Sequence, residues 1–576
     1  MSGVDRVFDY AVPPALAHAC RLGALVRVPL GARRVRGWVV GEPSAPAPGV
    51  ALREVAAVLA PGPSAEVLDL ARAAARRYAG RLRPFLLAAT ADRLGDAAPA
   101  PAGRGIGELA PGTGAGVEAV RAALRASPAL VRLPPAAARL AIVTELCRAS
   151  AGRGDLLVLV PERRDVEILA TRLARLGVEV ARYPVEWGRA AAGGRVVVGT
   201  RSAAFATLAR LAGVLVLDAE APAYVEERAP TWSAVEMARR RADAAGVFFV
   251  ATSAAPSAAL LASLECVSVP AVVERAGWPT LEVVDRRGAD PRTGRYAERL
   301  ATAIRQAAGG AHPVVCVLNR TGRARRLACG TCGELARCVA CGAAVGEART
   351  AAGRMLVCPV CGQSRPVVCA ACGAAGLKVL RVGAERAAEE LAALSGLEVA
   401  TVAAGDRCAL PDAAVLVGTE AVLHRVGRAA LVVFLDIDVD LAAARLSAGE
   451  RTLALLARAG RLVGARPAGR VIVQTRSPDH EVLRAARAGD PTLFSEPELE
   501  RRRALGLPPW RAVAALSGPG AHDLAASVRD AGIEVVEPEP GRVLLRAPTA
   551  DLLASALWEA RSTEADVRVA LDPPEW

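Results

Sequence analysis

Eight of the chain's 13 cysteines fall between positions 329 and 372 as four C-x-x-C pairs: Cys329/Cys332, Cys338/Cys341, Cys358/Cys361 and Cys369/Cys372. Two cysteines three apart on a tight turn aim both sulfurs at one point, and two such pairs complete a tetrahedral four-cysteine site for zinc. Gly330, Gly333, Gly342, Gly362 and Gly373 lie beside them and allow the positive φ that such turns often need. Four pairs therefore make two zinc ions per chain. Nested pairing puts Cys329, Cys332, Cys369 and Cys372 on one ion and Cys338, Cys341, Cys358 and Cys361 on the other. Sequential pairing satisfies the same spacing. With no ligand position open, both ions are expected to be structural and not catalytic. Iron–sulfur chemistry and redox thiols are the alternatives, although a redox site needs only one pair. The remaining cysteines, Cys20, Cys147, Cys266, Cys316 and Cys408, are scattered and read as small buried hydrophobes.

Chemistry that needs a lysine has one candidate, Lys378, because the other 71 basic residues are arginines. His18, His312, His424, His480 and His522 show no metal-ligand spacing. Lys and Arg number 72 against 59 Asp and Glu, a net charge of +13, which favours a polyanion partner. Met1–Pro13 carries Asp5, Arg6 and Asp9 and no apolar core, so no export signal is expected and the cysteines point to a cytoplasmic metal protein rather than to disulfides. The nearest approach to a membrane span, Ala244–Leu264, is uncharged but contains Pro256 and opens on the β-rich Val247–Val250. It reads as a buried strand, loop and helix, and no membrane partner is expected.

These residues need a scaffold, and 576 residues is enough for about four domains. Residues 1–96 read as short strands and turns followed by a helix over Ser64–Tyr78. The apolar runs Ala24–Val28 and Val35–Val40 flank the turn signal Pro29-Leu30-Gly31. Residues 97–117 are a Pro-, Gly- and Ala-rich linker. From residue 118, apolar runs (Leu156–Val160, Arg195–Val198, Val214–Leu217, Gly246–Val250) alternate with helical stretches (Asp165–Leu176, Ala234–Ala245), the pattern of a parallel sheet covered on both faces. It pauses near Gly277–Pro279, resumes at Pro313–Leu318, is interrupted by the cysteines, and continues through Lys378–Val382, Ala414–Val417, Leu431–Leu435 and Val471–Gln474. The expected architecture is α/β: one lobe over 118–276, a second over 277–505 with a cysteine insert at 326–375, and a small α+β domain over 506–576.

The chain resembles the PriA (primosomal protein N′) family of replication-restart helicases. The matching residues are Val4–Tyr10, Arg27–Gly31, Leu159–Glu162, Gly199–Ala203, Leu318–Gly322, the eight cysteines, Val417–Glu420, Leu435–Asp438 and Glu450–Leu453. The resemblance implies a 3′-end-binding N-terminal domain, two RecA-like lobes, a two-zinc insert in the second lobe and a small C-terminal domain. It also implies that Phe8, Asp9, Tyr10 and Gly31 form a pocket for the 3′ end of a nascent strand. Arg53 takes the place of a phosphate-contacting lysine. The family's winged-helix segment has no counterpart beyond the short linker. Without the resemblance, Phe8 and Tyr10 read as alternating core residues of a strand and Asp9 as its solvated face.

The sequence departs from the family where a helicase needs G-x-x-x-x-G-K-[ST] to cradle phosphate. The corresponding stretch is Leu133-Pro134-Pro135-Ala136-Ala137-Ala138-Arg139-Leu140, with neither glycine, two residues that lack an N–H, Arg139 for the lysine and Leu140 for the Mg²⁺-binding hydroxyl. Asp218-Ala219-Glu220-Ala221 replaces D-E-x-H. Gly418–Arg425 and Arg458–Ala465 match two further family motifs only loosely. No catalytic or cofactor-binding residue is therefore assigned, and ATP binding is doubtful. The expectation is a protein that recognises abandoned forks by the nascent-strand 3′ end and promotes primosome assembly and helicase reloading without unwinding. Its partners would be primosome and helicase-loading proteins and single-stranded DNA-binding protein. An active ATP-dependent 3′-to-5′ helicase and a zinc-ribbon scaffold that binds only proteins are the alternatives.

Overall fold

Val26 and Val28 are buried while Arg27 between them is exposed, the period-two alternation of a half-buried strand. Strand Leu25–Leu30 pairs antiparallel with Arg33–Trp38, and Gly31 makes the turn at a φ of +57°. Ala57–Ala60 pairs on its other edge. The computed structural model describes all residues except 1–5, 43–50, 91–101, 104–105, 107–108, 288–295, 319–326, 333, 341, 343–344, 351–352, 359–360, 380–383, 404–408, 530–531, 540–541, 561–566 and 574–576. Linker residues 97–101, 104–105 and 107–108, Cys341 and Cys408 thus lie outside the described residues.

Helix Ala65–Arg77 starts at Ser64, whose hydroxyl accepts from the Val67 amide, a cap worth about 1 kcal/mol. This helix and Arg83–Ala88 belong to the same apolar core as the first α/β lobe. The Phe85 ring stands 5.8 Å from Phe205 and 6.0 Å from Trp232. Glu66 holds the buried Arg241 at 2.7 Å.

The first lobe is a seven-stranded sheet in the order Glu265–Ser268, Ala129–Arg132, Phe248–Ser253, Leu211–Val216, Asp155–Leu159, Val196–Gly199, Val180–Tyr183. Every neighbouring pair is parallel. Leu156–Leu159, Val196–Val198 and Val214–Val216 are aliphatic runs because helices cover both faces of the sheet. The second lobe orders six parallel strands as Thr280–Asp285, Arg470–Thr475, Leu431–Phe434, Val314–Val317, Val415–Gly418, Val399–Val402. The sequence pattern thus does not pause after Pro279, since Thr280–Asp285 is already a strand of this sheet.

Lys378–Val382 does not continue the parallel sheet. Leu377–Val379 pairs antiparallel with Leu327–Cys329, and 380–383 lie outside the described residues. The two chain segments that bound the cysteine insert run in opposite directions, and pairing with each other satisfies backbone groups that would otherwise lack partners.

The C-terminal residues form an antiparallel sheet ordered Glu534–Glu539, Arg542–Ala547, Ala512–Ser517, Arg568–Leu571, with helices Ala521–Ser527 and Ala550–Ala560. Its core is continuous with that of the first lobe, and Thr231 Oγ1 donates to the Leu571 carbonyl at 3.0 Å. Among the described residues no helix is long and apolar enough to cross a membrane. Ala244–Leu264 holds strand Phe248–Ser253 and helix Ala258–Ser263. Cys147 and Cys316 are buried, and burial pushes each thiol up to about 12. Cys20 is half-buried. Cys266 corrects the buried expectation: it is exposed, because its strand is the edge of the seven-stranded sheet.

Candidate metal, nucleic-acid and interlobe sites

The cysteine pairs sit on repeated tight turns. Gly342, Gly362 and Gly373 each follow the second cysteine of a pair, at φ of +73°, +72° and +73°. The amide of each donates back to the carbonyl of the pair's first cysteine, at 2.9, 3.0 and 2.9 Å. A side chain would be strained there. Gly330 differs from expectation, with no positive φ, and its amide donates to the Gly376 carbonyl at 2.7 Å. The Sγ atoms of Cys329, Cys332, Cys369 and Cys372 lie within 4.8 Å of one another, as do those of Cys338, Cys358 and Cys361. Cys329–Cys372 and Cys338–Cys361 sulfurs are 3.5 Å apart and Cys332–Cys369 3.6 Å. Four sulfurs about 2.3 Å from a tetrahedral zinc are about 3.8 Å apart, so these clusters fit the ion. The amides of Cys332 and Thr331 aim at Cys329 Sγ and lower that thiol to about 6. Both clusters could hold a metal ion.

The N-terminal candidates converge on the hairpin turn. Tyr10 is half-buried, and its hydroxyl donates to the Pro29 carbonyl at 2.9 Å. Arg53 Nη1 donates to the Gly31 carbonyl at 2.9 Å. The main chains of Ala11 and Arg53 are joined by an amide–carbonyl bond of 2.9 Å. Phe8 and Asp9, on the same segment, are exposed, Phe8 by 47%. A side chain at Gly31 would meet no atom within 4 Å, so the turn is open to an approaching group. Tyr10 and Arg53 brace the turn, while Phe8 and Asp9 offer an aromatic face and a carboxylate beside it.

Between the lobes, the loop that the resemblance aligns with a phosphate cradle runs from strand Ala129–Arg132 to helix Arg139–Ser150. Pro134 and Pro135 have no N–H. The Ala136 amide donates to Gly277 O at 3.2 Å and that of Ala137 to Pro134 O at 3.0 Å. The second lobe closes over this loop, for a Cβ on Gly460 would come within 3.3 Å of Pro135 Cβ. Asp218, at a φ of +52°, accepts from Arg139 with one carboxylate oxygen and from Arg461 of the second lobe with the other, the latter at 2.5 Å. Arg139 also lies 3.5 Å from Asp165. Burial raises the nearby Glu220 carboxyl, although the Ala254 amide donates to it at 3.4 Å. The residues present do not fit a nucleoside triphosphate and its metal: the cation and the acid that would hold them bind each other, and two of the loop amides donate to the Gly277 and Pro134 carbonyls.

Further pairs reach across the same boundary. His424 Nδ1 lies 2.9 Å from Glu162 Oε1, and Nε2 lies 3.6 Å from Glu420. Burial alone would lower this imidazole, but the two carboxylates outweigh it and raise the group to about 9. Glu450 Oε1 accepts from the Ala258 amide at 2.7 Å, and its other oxygen meets Arg502 at 2.9 Å. Sequence reasoning missed His424 and gave Arg461 no partner. Arg461 and Asp218 are 243 positions apart, and no local pattern joins them.

Residues 1–90 match the family model of the PriA 3′ DNA-binding domain (3′BD). The chain is 32% identical over 560 residues to proteins described as probable replication restart protein PriA from Mycobacterium bovis and Mycobacterium tuberculosis, covering 90% of this chain and 85% of each of those. It is 27% identical over 405 residues to the replication restart protein PriA of Thermotoga maritima, covering 64% of this chain and 54% of that one. With the mycobacterial likeness running through most of both chains and the N-terminal domain matched separately, the chain belongs to the PriA replication-restart family.

Proposed function

We propose that this protein binds replication forks at the nascent-strand 3′ end and supports replication restart without nucleotide-driven unwinding. In this reading its lobes present bound DNA to primosome and helicase-loading proteins and to single-stranded DNA-binding protein. Phe8 stacks the terminal base and Asp9 accepts the 3′-OH proton. Tyr10, Gly31 and Arg53 hold the turn that positions them, and Arg53 keeps N–H groups for phosphate. The cysteines, Cys341 included, hold two structural zinc ions.

One observation carries the non-motor reading: Asp218 is held by Arg139 and Arg461 at the place where a helicase needs a metal-binding acid. Phosphoryl transfer depends on positioning and charge stabilisation by such groups, and here they neutralise one another. The reading of the DNA end is tested by binding to forks with a 3′-OH or a 3′-phosphate at the branch. A charge-assisted hydrogen bond is worth roughly 1.5–3 kcal/mol, so Asp9→Ala should weaken binding to the 3′-OH fork about tenfold or more. It should change binding to the blocked fork much less. Equal losses on both would make Asp9 a folding residue.

A further inference from the structure

Several buried arginines in this fold hold carboxylates: Arg77 with Glu236, Arg132 with Glu274, Arg241 with Glu66, Arg502 with Glu450. The N-terminal hairpin instead gathers exposed arginines on one face. Arg27 stands directly opposite Arg36, and Pro29 opposite Arg34. Residues directly opposite in an antiparallel pair point to the same face, with Cβ atoms about 4.5–5.5 Å apart. Arg27, Arg34 and Arg36 therefore share one face, and all three are exposed. Their guanidinium groups have no hydrogen-bond or ion-pair partner among the described residues.

Packing at both ends fixes that face. Val26, Val28 and Val35 point the other way into the small core of this domain. At the far end of the arginine face, Leu25 and Trp38 enter the core shared with the first lobe, and Trp38 Nε1 donates to Thr90 at 2.9 Å. The arginines cannot turn inward without breaking this register. The chain between the hairpin and strand Ala57–Ala60 carries two exposed acids, Glu42 and Glu54, and neither forms an ion pair with these arginines. Like charges directly opposite one another destabilise a sheet, and three together with no acid paired to them form a surface complementary to a polyanion.

We propose that Arg27, Arg34 and Arg36 form a ladder for the DNA sugar-phosphate backbone, running from the Gly31 turn along the hairpin face. This rests on the end-binding reading only for the direction of the strand. The ladder's contact is with phosphates and does not depend on the terminal hydroxyl.

The test is binding of the full-length protein to forked DNA across a salt series, with free and phosphate-blocked 3′ ends. Each phosphate neutralised on duplex DNA contributes about 0.9 to the slope of log affinity against log salt. A variant carrying Arg27→Gln, Arg34→Gln and Arg36→Gln should lower that slope by about 2–3 on both forks. Its deficit should shrink about 40-fold between roughly 50 and 200 mM salt. The corresponding triple lysine variant should keep the slope. Thermal stability of the glutamine variant should be unchanged or slightly higher, because a like-charge contact is relieved. Arg36→Gln alone should lower the slope by about 0.9, which keeps the test decisive if the triple variant misfolds. Loss on both forks alike, with Asp9→Ala acting only on the free end, separates the ladder from the end pocket. If Asp9→Ala fails to discriminate while the slope still falls, the ladder stands and the end reading does not. An unchanged slope in a folded glutamine variant overturns the ladder and leaves this face to an acidic protein surface.

Discussion

Replacing Asp218 with asparagine tests whether the cleft between the lobes is a latch or a disabled motor. Asp218→Asn keeps the shape and removes the charge that Arg139 and Arg461 share. Breaking a buried ion pair by removing one partner costs about 3–5 kcal/mol, because the other charge is left unpaired. The side chains here are 12% (Asp218), 23% (Arg139) and 18% (Arg461) exposed, so water screens part of that loss and about 2–4 kcal/mol is expected. At about 1.4 kcal/mol per factor of ten, the equilibrium for opening the lobes should rise about 30- to 1,000-fold. Native-state proteolysis reads this directly when opening and closing are fast, because cleavage then follows the open population. A triple variant, Asp218→Leu with Arg139→Met and Arg461→Met, removes all three charges and should recover most of the loss, as apolar replacement of a buried triad can. Unchanged proteolysis and an unchanged urea midpoint in Asp218→Asn would refute the latch.

His424 supplies a pH-dependent share of the same interface. Its folded value near 9 lies above the ordinary imidazole value of 6.5, so its stabilisation is full below about pH 6.5 and is lost as pH rises through about 9. Opening measured by proteolysis should therefore increase between about pH 7 and 9.5, and His424→Gln should flatten that rise. Metal analysis of the native chain should return two zinc ions, and Cys338→Ser should lose about one while loosening the insert and leaving the α/β lobes folded. A native content near one ion would reject the two-site assignment.

The parallel lobes were legible in sequence because strands covered on both faces are continuous aliphatic runs, as at Leu156–Leu159 and Val196–Val198. The knuckle turns were legible because cysteine spacing and a following glycine are local signals. The strand Thr280–Asp285 was not, since Glu282 and Asp285 dilute its apolar run at the edge of the second lobe's sheet. Leu377–Val379 was misassigned because the same short apolar run serves either a parallel sheet or an antiparallel stem, and only the partner strand decides. The loss of phosphate-binding residues could be read from Pro134, Pro135 and Arg139. What replaced the function could not: the partners of Asp218 come from both lobes, and side-chain pairing across a fold leaves no periodicity in the chain.

Steady-state ATP hydrolysis with and without forked DNA tests the central claim most directly, with native protein measured beside Asp218→Asn to expose contaminating ATPase. The account predicts the same background rate in both, unaffected by DNA, while the native protein binds the fork. Family-fold motors turn over at about one per second or faster. A rate of that size that rises with forked DNA in the native protein, and is absent from an Asp218→Asn sample that still binds the fork, would contradict it.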